Sequence, residues 1–198
     1  MRARTLPRSF YRRDSRVVAP ELLNKVLRSS VDGAPPLAAR IVEVEAYAGA
    51  EDPGSHGYRG ETPRTRTMFG RAGHLYVYFT YGMHWCANAV CGEVGESSAV
   101  LLRAAAPLEG LEVLRANRGP AARRERDLCS GPAKLCQAFG IDRAFDGADL
   151  VTGDRGLRIT DDGVPPPDRP RVTRRIGLSA GAEHEWRWCV AGDPNVSR

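Results

Sequence analysis

Lysine is almost missing from this chain of 198 residues: of 29 basic side chains, only Lys25 and Lys134 are lysines. So few amines leave few candidates for chemistry through a Schiff base. No apolar run approaches the roughly 18 residues that span a bilayer, so no transmembrane helix is expected. The first arginines have no apolar segment behind them, so no secretory signal is expected either. Five cysteines, an odd number without framework spacing, argue for reduced thiols rather than a disulfide scaffold. His74, His84, Cys86 and Cys91 offer only a Cys-x4-Cys spacing on one strand, which is not a normal zinc pattern, so no metal is expected.

What is present suits one folded unit. Hydrophobic residues make up 42% of the chain and the net charge is +5, which excludes disorder as the dominant state. The charge is unevenly placed. Residues 1–16 carry six Arg against Asp14, so residues 17–198 are neutral in sum. Within that body Arg59, Arg64, Arg66 and Arg71 cluster over 56–81 and four Arg over 169–175, whereas 142–168 is acidic. Arg in place of Lys is also what GC-rich coding produces, so position says more than identity. A flexible basic arm at 1–13 and basic loops on a single domain, 14–198, fit a polyanionic partner.

Pro20, Leu22, Leu23, Val26 and Leu27 predict an amphipathic helix, and residues 38–47 alternate as a strand. Residues 48–73 are glycine-rich and aperiodic, and a loop of that length is usually functional. Strands are predicted at 75–80, 84–91 and 98–105, then helices at about 108–117 and after Ser130, the expected N-cap, to Gly140. Short strands at 156–160, 171–178 and 186–191 complete the chain. Clustered strands with separate helices predict α+β: a mostly antiparallel curved sheet with flanking helices and a protruding hairpin.

Two segments carry candidate chemistry. In Arg40–Tyr47 a period of two puts Glu43, Glu45 and Tyr47 on one face. A carboxylate beside an aromatic, leading into a glycine-rich loop, is a candidate acid or base; a solvated strand face is the alternative, and Glu43 is assigned to it. In Leu75–Asn88, Gly82 marks a turn with Tyr81 and Met83 at its tip. Apolar groups on a tip cost solubility unless something uses them, and enzymes that extract a base from duplex DNA insert such a wedge. A two-residue loop would pair Tyr78 with Trp85, an ordinary hairpin. A loop of three or five residues would put Tyr78, Cys86 and Asn88 on one face and build a pocket.

These segments together resemble the alkyladenine (3-methyladenine) DNA glycosylase family. The resemblance is carried by Arg40–Tyr47, Glu51-Asp52, His56, Thr62–Phe69, Leu75–Tyr78, Tyr81–Met83, Val100–Ala104, Pro107–Gly110, Leu128–Cys136 and Arg174–Leu178, and it spans residues 10–197. It implies that Glu45 is the base that activates water, with Arg103 beside it. It implies that Tyr47, His56 and Tyr78 wall the base pocket and that Asn88 disfavours guanine there. Tyr81, with Met83, would enter the duplex. His84-Trp85 and Trp188-Cys189 depart from the family pattern, and the Arg-rich arm lies outside it.

The implied activity is hydrolysis of the N-glycosidic bond of alkylated or deaminated purines in double-stranded DNA after base flipping. No cofactor, no membrane and a monomer are implied. The location implied is cytoplasmic, by the nucleoid of a bacterium, or nuclear in a eukaryote. Neither lysine accompanies Glu45, so a monofunctional enzyme leaving an abasic site is expected. Arg64, Arg66 and Lys134 are candidate backbone contacts. Two other classes stay open: a catalytically silent DNA-damage binder, and a small-molecule hydrolase with a basic arm.

Overall fold

A computed structural model describes residues 3–31 and 33–197. Its chain order is β1 (Arg4–Thr5), α1 (Arg8–Tyr11), α2 (Ser15–Leu22), β2 (Val26–Ser29), β3 (Leu37–Ala48), β4 (Leu75–Thr80), β5 (His84–Cys91) and β6 (Ser98–Glu109). There follow α3 (Leu111–Arg118), α4 (Pro132–Phe139), β7 (Leu157–Asp161), β8 (Arg171–Thr173) and β9 (Arg187–Cys189). The strands form one antiparallel sheet in the order β1-β7-β2-β3-β6-β5-β4, with β9 joined to β3 and β8 to β9. The fold is α+β in a single domain, as the sequence predicts.

β3 is the organising strand. One edge pairs with β6 along most of its length. The other edge is shared: β2 pairs with Leu37–Arg40, and β9 takes over at Glu43–Glu45. Register shifts against β6 fall on either side of Glu43. Such bulges bend a strand and re-aim its side chains. The core holds Leu22, Leu27, Ile41, Val44, Leu75, Leu102 and Leu135, with α2 packed on β3 and α4 on β5 and β6.

Three expectations are corrected. The arm is not free from residue 3 onward: β1 pairs with β7, Leu6 and Tyr11 are buried, and Arg8 meets Asp149 at 2.6 Å. Its apolar side chains find core contacts and its arginines find scattered carboxylates, Arg12 on Glu93 and Arg13 on Glu21, while Met1 and Arg2 lie outside the described residues. The first long helix ends at Leu22, and Val26–Ser29 is a strand, with Asn24 at φ 66 between them. Pro20 therefore lies near that helix's end rather than in its first turn. Ser130 is not the cap of α4; it bridges to Ala104, and Gly131 occupies the cap position. Gly140 ends that helix in the left-handed region, as expected of glycine.

Candidate active site

The β4–β5 hairpin has a three-residue loop, since Thr80 pairs with His84 and Tyr78 with Cys86. Of the two registers the sequence allows, this one puts Tyr76, Tyr78, Cys86 and Asn88 on a common face. They line a cavity of about 310 Å³ together with Tyr47, His56 and Arg103. The long loop after β3 supplies His56. Gly49 begins it at φ 61, where a Cβ would fall 2.1 Å from the Glu96 carbonyl oxygen, so only glycine closes the chain there.

Glu45 is fully buried, and its three partners all line the cavity. Oε1 accepts the Ile176 N–H at 2.9 Å and faces Arg103 Nη1 at 3.2 Å; Oε2 accepts the Tyr47 hydroxyl at 2.8 Å. A carboxylate has about four acceptor positions, so Oε2 keeps one unused, although Glu45 itself is not a lining residue of the cavity. Burial, then the Glu45 charge, pushes the Tyr47 phenol far above its ordinary range, and it stays a donor.

Glu43 does not sit on a solvated face. It is fully buried beside β9, accepting Arg103 Nε at 2.8 Å and Arg187 Nε at 2.7 Å on Oε1, and the Ser197 N–H on Oε2. Burial would raise its carboxyl, but Arg103, the Ser197 N–H and Arg187 bring it below the usual range. Burial would likewise lower the Arg103 guanidinium, but the charges of Glu45 and Glu43 hold it above its usual range. Arg103 thus stays charged between two carboxylates, anchored on one and facing the other.

The aromatic walls differ in geometry. Tyr76 and Tyr78 stack at 5.4 Å, while His56 meets Tyr78 edge to face at 4.5 Å. Tyr76 Oη is 3.2 Å from His56 Nδ1. Burial, then the nearby charge of Arg64, lowers the proton affinity of His56, so the ring is neutral at neutral pH. The Tyr76 phenol is pushed up to about 12, chiefly by burial. Asn88 donates Nδ2–H to the Tyr76 carbonyl at 3.3 Å, which fixes its amide in the wall.

Other predicted residues lie at or beyond the rim. Tyr81 reaches the cavity from the hairpin tip with 79% of its surface exposed; Met83, 68% exposed, does not line it. Arg64 is exposed above Tyr78 and donates to the Phe79 carbonyl; Arg66 faces Glu61 at 3.6 Å. Lys134 is exposed two residues after Pro132, a cavity residue on α4. Lys25 is tied to Asp161 at 2.9 Å and is not a cavity residue. The Cys86 thiol is raised by burial and stays protonated. Sequence reasoning missed Tyr76, Arg187 and the Ile176 N–H; the alternation Tyr76-Val77-Tyr78 could have found the first.

A sequence model of the methylpurine-DNA glycosylase family matches residues 9–194. This chain belongs to the methylpurine-DNA glycosylase family. Membership makes it a hydrolase of the DNA glycosylase class, a DNA-repair enzyme whose substrate is DNA. Among similar proteins, "Putative 3-methyladenine DNA glycosylase" of Burkholderia lata is 56% identical over 192 residues, covering 97% of this chain and 90% of that protein. The proteins of the same name from Streptomyces avermitilis and Carboxydothermus hydrogenoformans are 49% and 45% identical. They cover 97% and 98% of this chain and 90% and 98% of their own lengths.

Proposed function

We propose that this glycosylase removes alkylated purines of the 3-methyladenine type, and deaminated purines, from double-stranded DNA by flipping the nucleotide into the cavity and leaving an abasic site. The observation that carries the reading is the buried Glu45 carboxylate, held by Tyr47, Arg103 and the Ile176 N–H, three groups that line an aromatic cavity.

A purine inside a duplex is out of reach, and turning it out costs a few kcal/mol, least for damaged or mispaired bases. Stacking on Tyr47, Tyr78 and the edge-on His56 recovers part of that, about 1–3 kcal/mol per stacked base. Tyr81 and Met83 fill the gap left in the helix. Alkylation at N3 or N7 makes the base a cation and a good leaving group, and electron-rich ring faces attract it; a neutral base such as hypoxanthine must first take up a proton to leave as a neutral molecule. As the glycosidic bond breaks, positive charge grows on the sugar; the Glu45 carboxylate stabilises it and takes a proton from the attacking water through Oε2. Arg103, facing Glu45, keeps its carboxyl group aimed. Asn88 meets the exocyclic amine of guanine and disfavours that base. Arg64, Arg66 and Lys134 hold phosphates of the duplex in this reading.

The reaction takes water and no cofactor, and a monomer suffices. Lys25 is paired away from the cavity and Lys134 does not line it, so neither lysine serves as the amine that strand cleavage would need. The test uses duplexes carrying one defined lesion each: 3-methyladenine, 7-methylguanine, hypoxanthine or ethenoadenine. Strand breaks are scored before and after alkali. Breaks only after alkali support the reading; tight binding without release of base would make the chain a silent damage binder. Affinity should fall steeply with ionic strength.

A further inference from the structure

The wall formed by Tyr47 has a charged pair behind it. The Arg175 guanidinium carbon lies 4.7 Å from the centre of the Tyr47 ring and 5.0 Å from that of Trp186, held between two aromatic faces. Tyr47 lines the cavity, whereas the Arg175 side chain is fully buried and does not. A buried cation thus lies against a ring that lines the cavity, without itself reaching the space where the base would lie. Asp52, equally buried, takes that guanidinium in a two-pronged pair: Nη2 donates to Oδ1 at 2.7 Å, and Nη1 to Oδ2. Further N–H groups of Arg175 go to the carbonyls of Ala46 and Gly181.

The reaction described above uses neither residue. Stability alone is a weak reason for such a pair, because apolar side chains of similar volume stabilise a core as well or better. Its position suggests another role. A ring attracts a cation through the negative potential over its face, and an unbalanced cation on the far face opposes that attraction. Around Glu45 the charges are balanced, Glu43 and Glu45 against Arg103 and Arg187, while Arg64 stands exposed over the separate Tyr78 wall.

We propose that Asp52 is a specificity-determining residue: by neutralising Arg175 behind Tyr47, it lets that wall accept a positively charged purine. The inference rests on the proposed reaction and adds to it a division among lesions. Cationic bases such as 7-methylguanine depend on Asp52, and neutral ones such as ethenoadenine do not.

Single-turnover reactions on duplexes carrying either lesion test this with Asp52→Asn. The half-saturating enzyme concentration should rise about tenfold for 7-methylguanine and stay within about twofold for ethenoadenine, as expected for two like charges across one ring. Because both lesions are read on one preparation, a partly folded sample does not distort the ratio. Asp52→Ser, smaller and equally uncharged, should give the same split and replaces the first variant if that one does not fold. Asp52→Asn combined with Arg175→Met removes both charges and should restore the wild-type ratio. Equal loss on both lesions, or no restoration in the double variant, would mean that Asp52 only shapes the loop bearing His56, and would overturn the proposal. Wild-type protein that released neither base would instead sink the reaction itself.

Discussion

The end of β3 that carries Glu43 and Glu45 and the tip of the β4–β5 hairpin belong to one sheet, yet they are held in opposite ways. At the first, two carboxylates and two guanidinium groups are buried and joined by hydrogen bonds from four separate parts of the chain. At the second, Tyr81 and Met83 stand in solvent, and Tyr81 takes φ 51, a backbone state unfavourable for a bulky residue. Inside the fold, geometry is over-determined, which preorganises charge for a reaction. At the tip the fold leaves apolar surface without a partner, which suits a group that DNA covers. Substitutions at the first site should therefore disturb chemistry and stability, and substitutions at the second only the engagement of DNA.

The comparison can be broken most directly at Glu45. Glu45→Gln keeps the shape and one acceptor but loses the base, so release should fall by about a thousandfold or more while lesion-duplex affinity is kept. Release at the wild-type rate, in a single-turnover assay, would remove Glu45 from its role.

Glu43 gives the next largest effect, on stability. Glu43→Ala leaves Arg103 and Arg187 buried without their shared partner and should cost about 3–5 kcal/mol in denaturant unfolding. Its carboxyl binds a proton less readily in the folded protein than in the unfolded chain. The stability it contributes is therefore complete above the ordinary value of 4.5 and lost as pH falls through the lower folded value. Glu43→Gln should flatten this part of the acid unfolding profile; an unchanged profile would mean that Glu43 is not the titrating group.

At the tip, Tyr81→Ala should weaken the flipped state by roughly tenfold, read as a higher half-saturating enzyme concentration, with the melting temperature unmoved. A lowered melting temperature would place Tyr81 with the buried set instead. The smallest effect is expected from Asn88→Ser, which should raise release of undamaged guanine by a few-fold while hardly changing that of alkylated adenine.

Much of this was legible in the residues. Alternation along 40–47 put Glu45 and Tyr47 on one face, and Gly82 located the turn. The hairpin's register was narrowed to two choices but not chosen, because loop length depends on backbone angles that Tyr81-Gly82-Met83 does not dictate. Val26 and Leu27 were misread as helix because a helix face and a fully buried strand present the same apolar residues; all of Leu22, Leu23, Val26 and Leu27 are buried. Glu43 was misread for a different reason: nothing near it in sequence reveals that β9 docks beside it, 144 residues on, and brings Arg187.

By itself, then, the sequence determined which side chains share a strand face, where the chain must turn and which residue types are on hand for chemistry. These follow from local geometry, the two-residue repeat of a strand and the freedom of glycine. Only the tertiary structure decided which carboxylates are buried, which arginines neutralise them and that a cavity opens between Tyr47 and Tyr78. Burial and charge pairing depend on segments far apart in the chain, and their energies exist only once those segments meet.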